Sequence, residues 1–123
     1  MRVNKKIFLV DDDAAVCHAL SVFLEASGFN VITFLSAEAF LEMEEDAMGG
    51  IMLLDHGMKG ITGLELQTEL AKRGIALPII FMSGRVDEQI HEEAIEAGSI
   101  NFLQKPFRNE DLLEIIGEVF SKA

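Results

Sequence analysis

Acidic, hydroxyl and ammonium side chains stand at four separated places in this sequence. They are Asp11-Asp12-Asp13, Asp55, Ser83 and Lys105. Two carboxylates about 4 Å apart repel each other by about 4 kcal/mol at an effective dielectric constant of about 20, so a cluster of them needs a positive partner. Lys105 is one candidate, and a divalent cation is the other. Carboxylates with a backbone carbonyl and waters form the kind of oxygen site that Mg²⁺ accepts. Zinc is disfavoured because the sequence has no Cys/His cluster.

A site of this composition suits the acceptance of a phosphoryl group. Positive charge from a metal would neutralise the incoming group, while Lys105 and the Ser83 hydroxyl would hold its other oxygens. One carboxylate is then left to attack. Carboxylates form aspartyl phosphates in this way, and the transfer depends mainly on positioning and on charge neutralisation.

Five short apolar runs predict the strands that position these side chains. They are residues 7–10, 31–34, 51–54, 79–82 and 100–103. The central runs are continuously apolar, which is typical of a parallel sheet covered on both faces. Amphipathic stretches of helical length lie between them, so we predict an open, doubly wound α/β sandwich with right-handed crossovers. The reactive side chains follow strand ends and therefore share one edge of the sheet.

Capping residues and glycines predict where the helices begin and end. Helix starts are predicted at Asp13, Ser36, Thr62, Asp87 and Asn109, and stops at Gly28, Gly74 and Gly98. Asp13 is therefore interpreted as a cap. Cys17 is interpreted as a small core residue, because it is in register with the apolar face of the first helix.

Length, charge and cysteine content limit the class of protein. The 123 residues fit one domain, residues 1–123. The net charge of −11 disfavours direct binding of nucleic acid by this chain. The single cysteine fits a reducing compartment, so we expect a cytoplasmic protein. No apolar run approaches the roughly 20 residues of a membrane span.

The motifs together resemble the receiver domain of bacterial two-component response regulators, the CheY-like family. Val10-Asp11-Asp12, Leu54-Asp55, Met82-Ser83-Gly84 and Lys105-Pro106-Phe107 carry the resemblance, in this order and at strand ends. The segment from Ala94 to Phe107 is similar to receivers of the nitrogen-fixation regulator type, which precede helix-turn-helix output domains. The resemblance implies a flavodoxin-like (βα)5 fold with strand order 2-1-3-4-5.

The resemblance also implies a role for each matching residue. Asp55 would be the phosphoacceptor, taking its phosphoryl group from the phosphohistidine of a sensor histidine kinase. Asp12 would bind Mg²⁺ directly, together with Asp55 and the backbone carbonyl of Gly57, and Asp11 would act through a water. Lys105 would hold a phosphoryl oxygen. The chain would be a signalling domain that catalyses only its own phosphorylation and dephosphorylation.

Further positions would carry the switch and its timing. Ser83 would move to hydrogen-bond the phosphoryl group, and Phe102 would turn into the space vacated, while the Lys105–Pro106 peptide bond would be cis. These contacts would shift a population between two arrangements of the fourth helix, fifth strand and fifth helix. Lys59 replaces the family's usual proline, and Gly57 and Arg85 flank the acceptor, so these three would tune the lifetime of the phosphate.

The last predicted helix carries apolar residues over an arc of roughly 160° at 100° per residue. These residues are Leu112, Leu113, Ile115, Ile116, Val119 and Phe120. A helix on one side of a sheet needs a stripe nearer 100°. The excess predicts an exposed apolar edge that, with the fourth helix, would form a homodimer or contact an output domain or downstream protein.

Three other functions compete with the phosphoacceptor interpretation. A phosphorylation-independent interaction module of the same fold would not be labelled by acetyl phosphate. A haloacid-dehalogenase-type phosphatase would use the Asp-x-Asp of residues 11–13 with Asp11 as nucleophile, but Ala15 stands where that family has Thr or Val. Flavin binding is disfavoured because the loop after the first strand is acidic rather than a phosphate cradle.

Overall fold

A parallel sheet of five strands forms the centre of the molecule. The computed structural model describes residues 5–43, 50–55, 63–75, 77–83 and 101–122. The strands are β1 (Lys6–Val10), β2 (Asn30–Phe34), β3 (Ile51–Asp55), β4 (Ile79–Ser83) and β5 (Asn101–Gln104). Their order is β2-β1-β3-β4-β5 and every pairing is parallel, which confirms the predicted fold.

In the described part of the chain, helices lie between or after the strands, where capping residues predicted them. They are α1 (Ala14–Ala26), α2 (Ala37–Leu41), α3 (Gly63–Lys72) and the C-terminal helix (Asn109–Lys122). The Asp13 carboxylate accepts hydrogen bonds from the first-turn amides of α1, and the Ser36 hydroxyl does so for α2. Gly28 and Gly74, with φ of 100° and 71°, follow α1 and α3 as predicted. The predicted caps Thr62 and Asp87 and the stop at Gly98 lie outside the described residues.

The sheet has an apolar core on each face. Alternate residues of β1 point to opposite sides, so Ile7 and Leu9 pack with α1 and the C-terminal helix, whereas Phe8 and Val10 pack with α2 and α3. Both faces are thus covered, as the continuously apolar strands predicted. Within the described residues, the helices are too short or too polar to traverse a bilayer.

Three apolar residues at the predicted edge of the C-terminal helix are partly buried rather than fully exposed. Leu113, Ile115 and Phe120 are partly buried and pack against the core on the α1 side. Phe120 stacks on Phe29 with ring centroids 5.9 Å apart. The apolar arc is wide because the helix also contacts the turn between α1 and β2. The fourth helix, which the expected homodimer surface also includes, lies outside the described residues.

Candidate functional site

Three strand ends bring the predicted acids and the lysine to one edge of the sheet. Asp11 and Asp12 follow β1, Asp55 is the last residue of β3, and Lys105 follows β5. Strands β1 and β3 are neighbours, with Val10 opposite Leu54, so their acids meet directly. Lys105 comes from two strands away, and its long side chain crosses the end of β4 to reach them.

The carboxylates of Asp11, Asp12 and Asp55 form a compact cluster of oxygen donors. One oxygen from each lies within 4.8 Å of the others. Asp11 is 1 % exposed and Asp55 is 8 % exposed, whereas Asp12 faces solvent. Because the cluster is open to solvent at Asp12, a hard cation bound to these carboxylate oxygens would keep some of its waters. The residues present therefore fit Mg²⁺.

Among the residues that the structure describes, Lys105 supplies positive charge to this cluster. Its Nζ lies 3.1 Å from Asp55 Oδ1 and 3.5 Å from Asp11 Oδ2. Burial alone lowers the pKa of Lys105, but the hydrogen bond and charge of Asp55, with those of Asp11, outweigh burial and raise the pKa overall. The ammonium therefore stays charged at neutral pH.

Hydrogen bonds hold both the side chain and the main chain of Asp11. Its Oδ1 accepts a hydrogen bond from the Asp13 amide at 3.0 Å, and its own amide donates to the Phe34 carbonyl at 3.1 Å. Burial, with some help from the Asp55 charge, raises the pKa of Asp11, although the bonds from Asp13 and Lys105 offset part of this effect. In the metal-free protein this carboxylate is therefore a source of instability.

Asp11→Asn is expected to raise the free energy of unfolding of the metal-free protein at neutral pH by about 1 to 2 kcal/mol. The change removes a buried charge and leaves Lys105 paired with Asp55 alone. A raised native pKa means that the native state binds the proton more tightly than the unfolded state. The free energy of unfolding of the wild type should therefore approach that of the variant as pH falls through the native pKa of Asp11 towards 3.8.

Urea unfolding in EDTA measures the difference in free energy of unfolding between variant and wild type at neutral and at acidic pH. A variant that is less stable than the wild type at neutral pH, or an advantage that grows as pH falls, would contradict this prediction.

The remaining predicted site residues fall in different parts of the structure. Ser83 ends β4 opposite Gln104, at the same edge of the sheet. Phe102 is half-buried in β5, and its ring stacks on Phe81 with centroids 6.4 Å apart. The Lys105–Pro106 peptide bond is cis. Gly57, Lys59 and Arg85 lie outside the described residues.

Two features of the site escaped the sequence interpretation. Cys17 is buried as predicted, but its Sγ also lies 3.3 Å from the Asp11 main-chain carbonyl. Burial, with the charges of Asp11 and Asp13, raises the pKa of this thiol to about 11. A groove of about 550 Å³ also runs beside Lys105, lined by Val16, Ala19, Leu20, Pro106 and Phe107. The apolar outward face of α1 was the available signal for this groove.

Comparisons with protein families and with individual known proteins lead to one group of proteins. The profile of the response regulator receiver domain matches residues 7–117. The transcriptional regulatory protein TdiR of Thauera aromatica is 42% identical over 110 residues, which are 89% of this chain and 48% of TdiR. The transcriptional regulatory protein FixJ of Bradyrhizobium diazoefficiens is 32% identical over all 123 residues, 60% of FixJ. The chain thus spans about half the length of these relatives.

The fold comparison leads to the same group. The crystal structure of FixJ-N superposes with a TM-score of 0.89 at 32% identity, covering 100% of this chain and 98% of that one. The response regulator StyR gives a TM-score of 0.88 at 36% identity, over 97% of this chain and 60% of StyR.

Proposed function

This chain belongs to the response regulator receiver domain family, and on that basis we propose that Asp55 accepts a phosphoryl group from a histidine kinase in a Mg²⁺-dependent reaction. The observation that carries the proposal is the meeting of three carboxylates with the Lys105 ammonium at one sheet edge. A cluster with this charge suits a divalent cation and an incoming phosphate.

Hydrogen bonding favours Asp55 over Asp11 as the nucleophile. Both oxygens of Asp11 accept contacts, Oδ1 from the Asp13 amide and Oδ2 from Lys105. Lys105 donates to Oδ1 of Asp55, so among the described contacts Oδ2 is the oxygen assigned to the attack. The dehalogenase-type alternative needs Asp11 in this role, and Asp11 is the more buried of the two.

The transfer exchanges one bond for another. Asp55 Oδ2 forms a bond to phosphorus as the bond from phosphorus to the donor histidine nitrogen breaks, and that nitrogen keeps the electron pair. Asp12 and Asp55, with the Gly57 carbonyl, would hold Mg²⁺ directly, and Asp11 would do so through a water; the ion when bound neutralises the charge of the phosphoryl oxygens. Lys105 then shifts its hydrogen bond from Asp55 to a phosphoryl oxygen, and the Ser83 hydroxyl binds another.

Phosphorylation would be transmitted through Ser83 and Phe102. The ring of Phe102 stacks on Phe81, so a movement at the end of β4 would displace the Phe102 ring in β5. The readout would be an output domain or a downstream protein, in the cytoplasm. The names of TdiR and FixJ favour an output in transcription. Gly57, Lys59 and Arg85 would set the phosphate lifetime.

The groove beside Lys105 is the proposed docking place for the kinase. It begins at the lysine that contacts Asp55 and continues along α1, so a helix seated in it would bring its phosphohistidine to the acceptor. The outward face of α1 next to the groove is small and apolar, with Val22 56 % exposed. Such a face is unusual in a chain of charge −11 and suits an apolar helix face.

Ala19→Glu is expected to slow phosphotransfer from the kinase by about tenfold or more, because it places a charge in the groove. Labelling by acetyl phosphate should remain unchanged, because that small donor needs no docking surface. Ala39→Glu is the matched control, since Ala39 is an exposed alanine of α2, on the opposite face of the sheet. Equal loss in both variants, or no loss in Ala19→Glu, would contradict the docking proposal.

Incubation with acetyl phosphate tests the proposed function itself. Intact-protein mass spectrometry is expected to show one added phosphoryl group in the presence of Mg²⁺ and none in EDTA. A protein that gains no mass with Mg²⁺ would exclude the phosphoacceptor function and favour the phosphorylation-independent interaction module.

A further inference from the structure

We infer that Cys17 is a positioning residue for the acidic cluster: its thiol holds the peptide group that joins Asp11 to Asp12. The inference rests on the proposed function, because the cluster matters as a metal site. Cys17 itself binds neither metal nor phosphate. It lies on the inner side of α1, below the cluster and inside the apolar core.

The main chain of Asp11 is fixed at both of its polar groups. Its amide donates to the Phe34 carbonyl of β2 at 3.1 Å. Its carbonyl accepts the hydrogen bond of the Cys17 thiol at 3.3 Å, in a buried setting. That carbonyl belongs to the same planar peptide unit as the Asp12 amide, so its orientation sets the direction in which the chain enters Asp12.

A small change in this peptide would matter more to a magnesium ion than to the fold. Mg²⁺ requires near-octahedral geometry at short distances, so carboxylates that are displaced bind it less well. The thiol S–H is a donor to this carbonyl, although a weak one. Without it, a carbonyl in a residue that is 1 % exposed would turn to find another partner.

Three variants separate the hydrogen bond from the packing of the side chain. Cys17→Ala removes the donor, and Cys17→Ser restores a donor in a smaller atom. Val119→Ala is the packing control, since it shortens a buried side chain of the same core cluster on the C-terminal helix. The two readouts are the Mg²⁺ dissociation constant of the unphosphorylated protein and the backbone amide signal of Asp12 in metal-free protein.

Cys17→Ala is expected to weaken Mg²⁺ binding by about tenfold, as removal of an outer hydrogen-bond partner of a metal ligand does, and to shift the Asp12 amide signal. Cys17→Ser is expected to return both values most of the way to those of the wild type. Val119→Ala is expected to lower stability while leaving both unchanged.

Wild-type Mg²⁺ affinity in Cys17→Ala would overturn the inference, as would a Cys17→Ser variant that binds no better than Cys17→Ala. A wild-type protein that binds no Mg²⁺ would contradict the proposed function itself and overturn the inference with it. The two failures are therefore distinguishable in one titration series.

Discussion

Asp55→Asn is expected to reduce labelling by acetyl phosphate to background, a loss of roughly a hundredfold or more. The amide oxygen is a poor nucleophile and the amide nitrogen cannot take the place of Oδ2, so no aspartyl phosphate forms. The fold should survive, because the substitution changes one atom at the end of β3 and lowers the repulsion with Asp11. Radioactive or mass-based labelling measures the result.

The matched control for this change is Asp111→Asn. Asp111 is a partly exposed aspartate of the C-terminal helix, and its carboxylate accepts hydrogen bonds from the Arg108 amide and guanidinium. It should label as the wild type does. Labelling that persists in Asp55→Asn would place the phosphoryl group on another side chain and would contradict the proposed acceptor.

Lys105→Met is expected to slow labelling by about a hundredfold, and to lower the free energy of unfolding in EDTA by about 2 kcal/mol. Methionine keeps the aliphatic length of the side chain but removes the ammonium that contacts both Asp55 and Asp11. The two buried carboxylates of Asp11 and Asp55 then lose the ammonium that pairs with both of them. The stability loss is moderate because Lys105 is 29 % exposed, so solvent screens the pair.

Mg²⁺ should restore much of the lost stability of Lys105→Met without restoring the rate. The metal replaces the missing positive charge between the acids, but the phosphoryl oxygen still lacks its ammonium partner. Lys72→Met, at an exposed lysine of α3, is the control and should change neither quantity. A Lys105→Met protein with wild-type labelling and stability would show that the ion pairs at the sheet edge are incidental.

Local signals in the sequence were enough to predict the fold. Continuously apolar strands require cover on both faces, which a parallel sheet between two helical layers provides. Asp13 and Ser36 cap helices by bonds to residues two or three positions away, so neighbours in the sequence contain the whole interaction. The meeting of Asp11, Asp12 and Asp55 followed from topology, because ends of neighbouring parallel strands must lie together.

Contacts between residues that are far apart in the sequence could not be predicted from these local signals. Phe120 is partly buried because its ring meets Phe29, a residue far away in sequence, and no periodicity within the C-terminal helix indicates this. The bond from Cys17 to Asp11 depends on the angle at which α1 leaves β1. The groove at Lys105 depends on how the segment after β5 approaches α1. Each is a property of packing rather than of local pattern.

The most direct measurement is the identification of the residue that carries the phosphate. The protein is labelled with acetyl phosphate and Mg²⁺, the acyl phosphate is reduced with borohydride, and the modified residue is located by peptide mass spectrometry. Modification at Asp55 alone is the predicted result. Modification at Asp11, which the phosphatase alternative requires, or an unmodified protein would contradict the account.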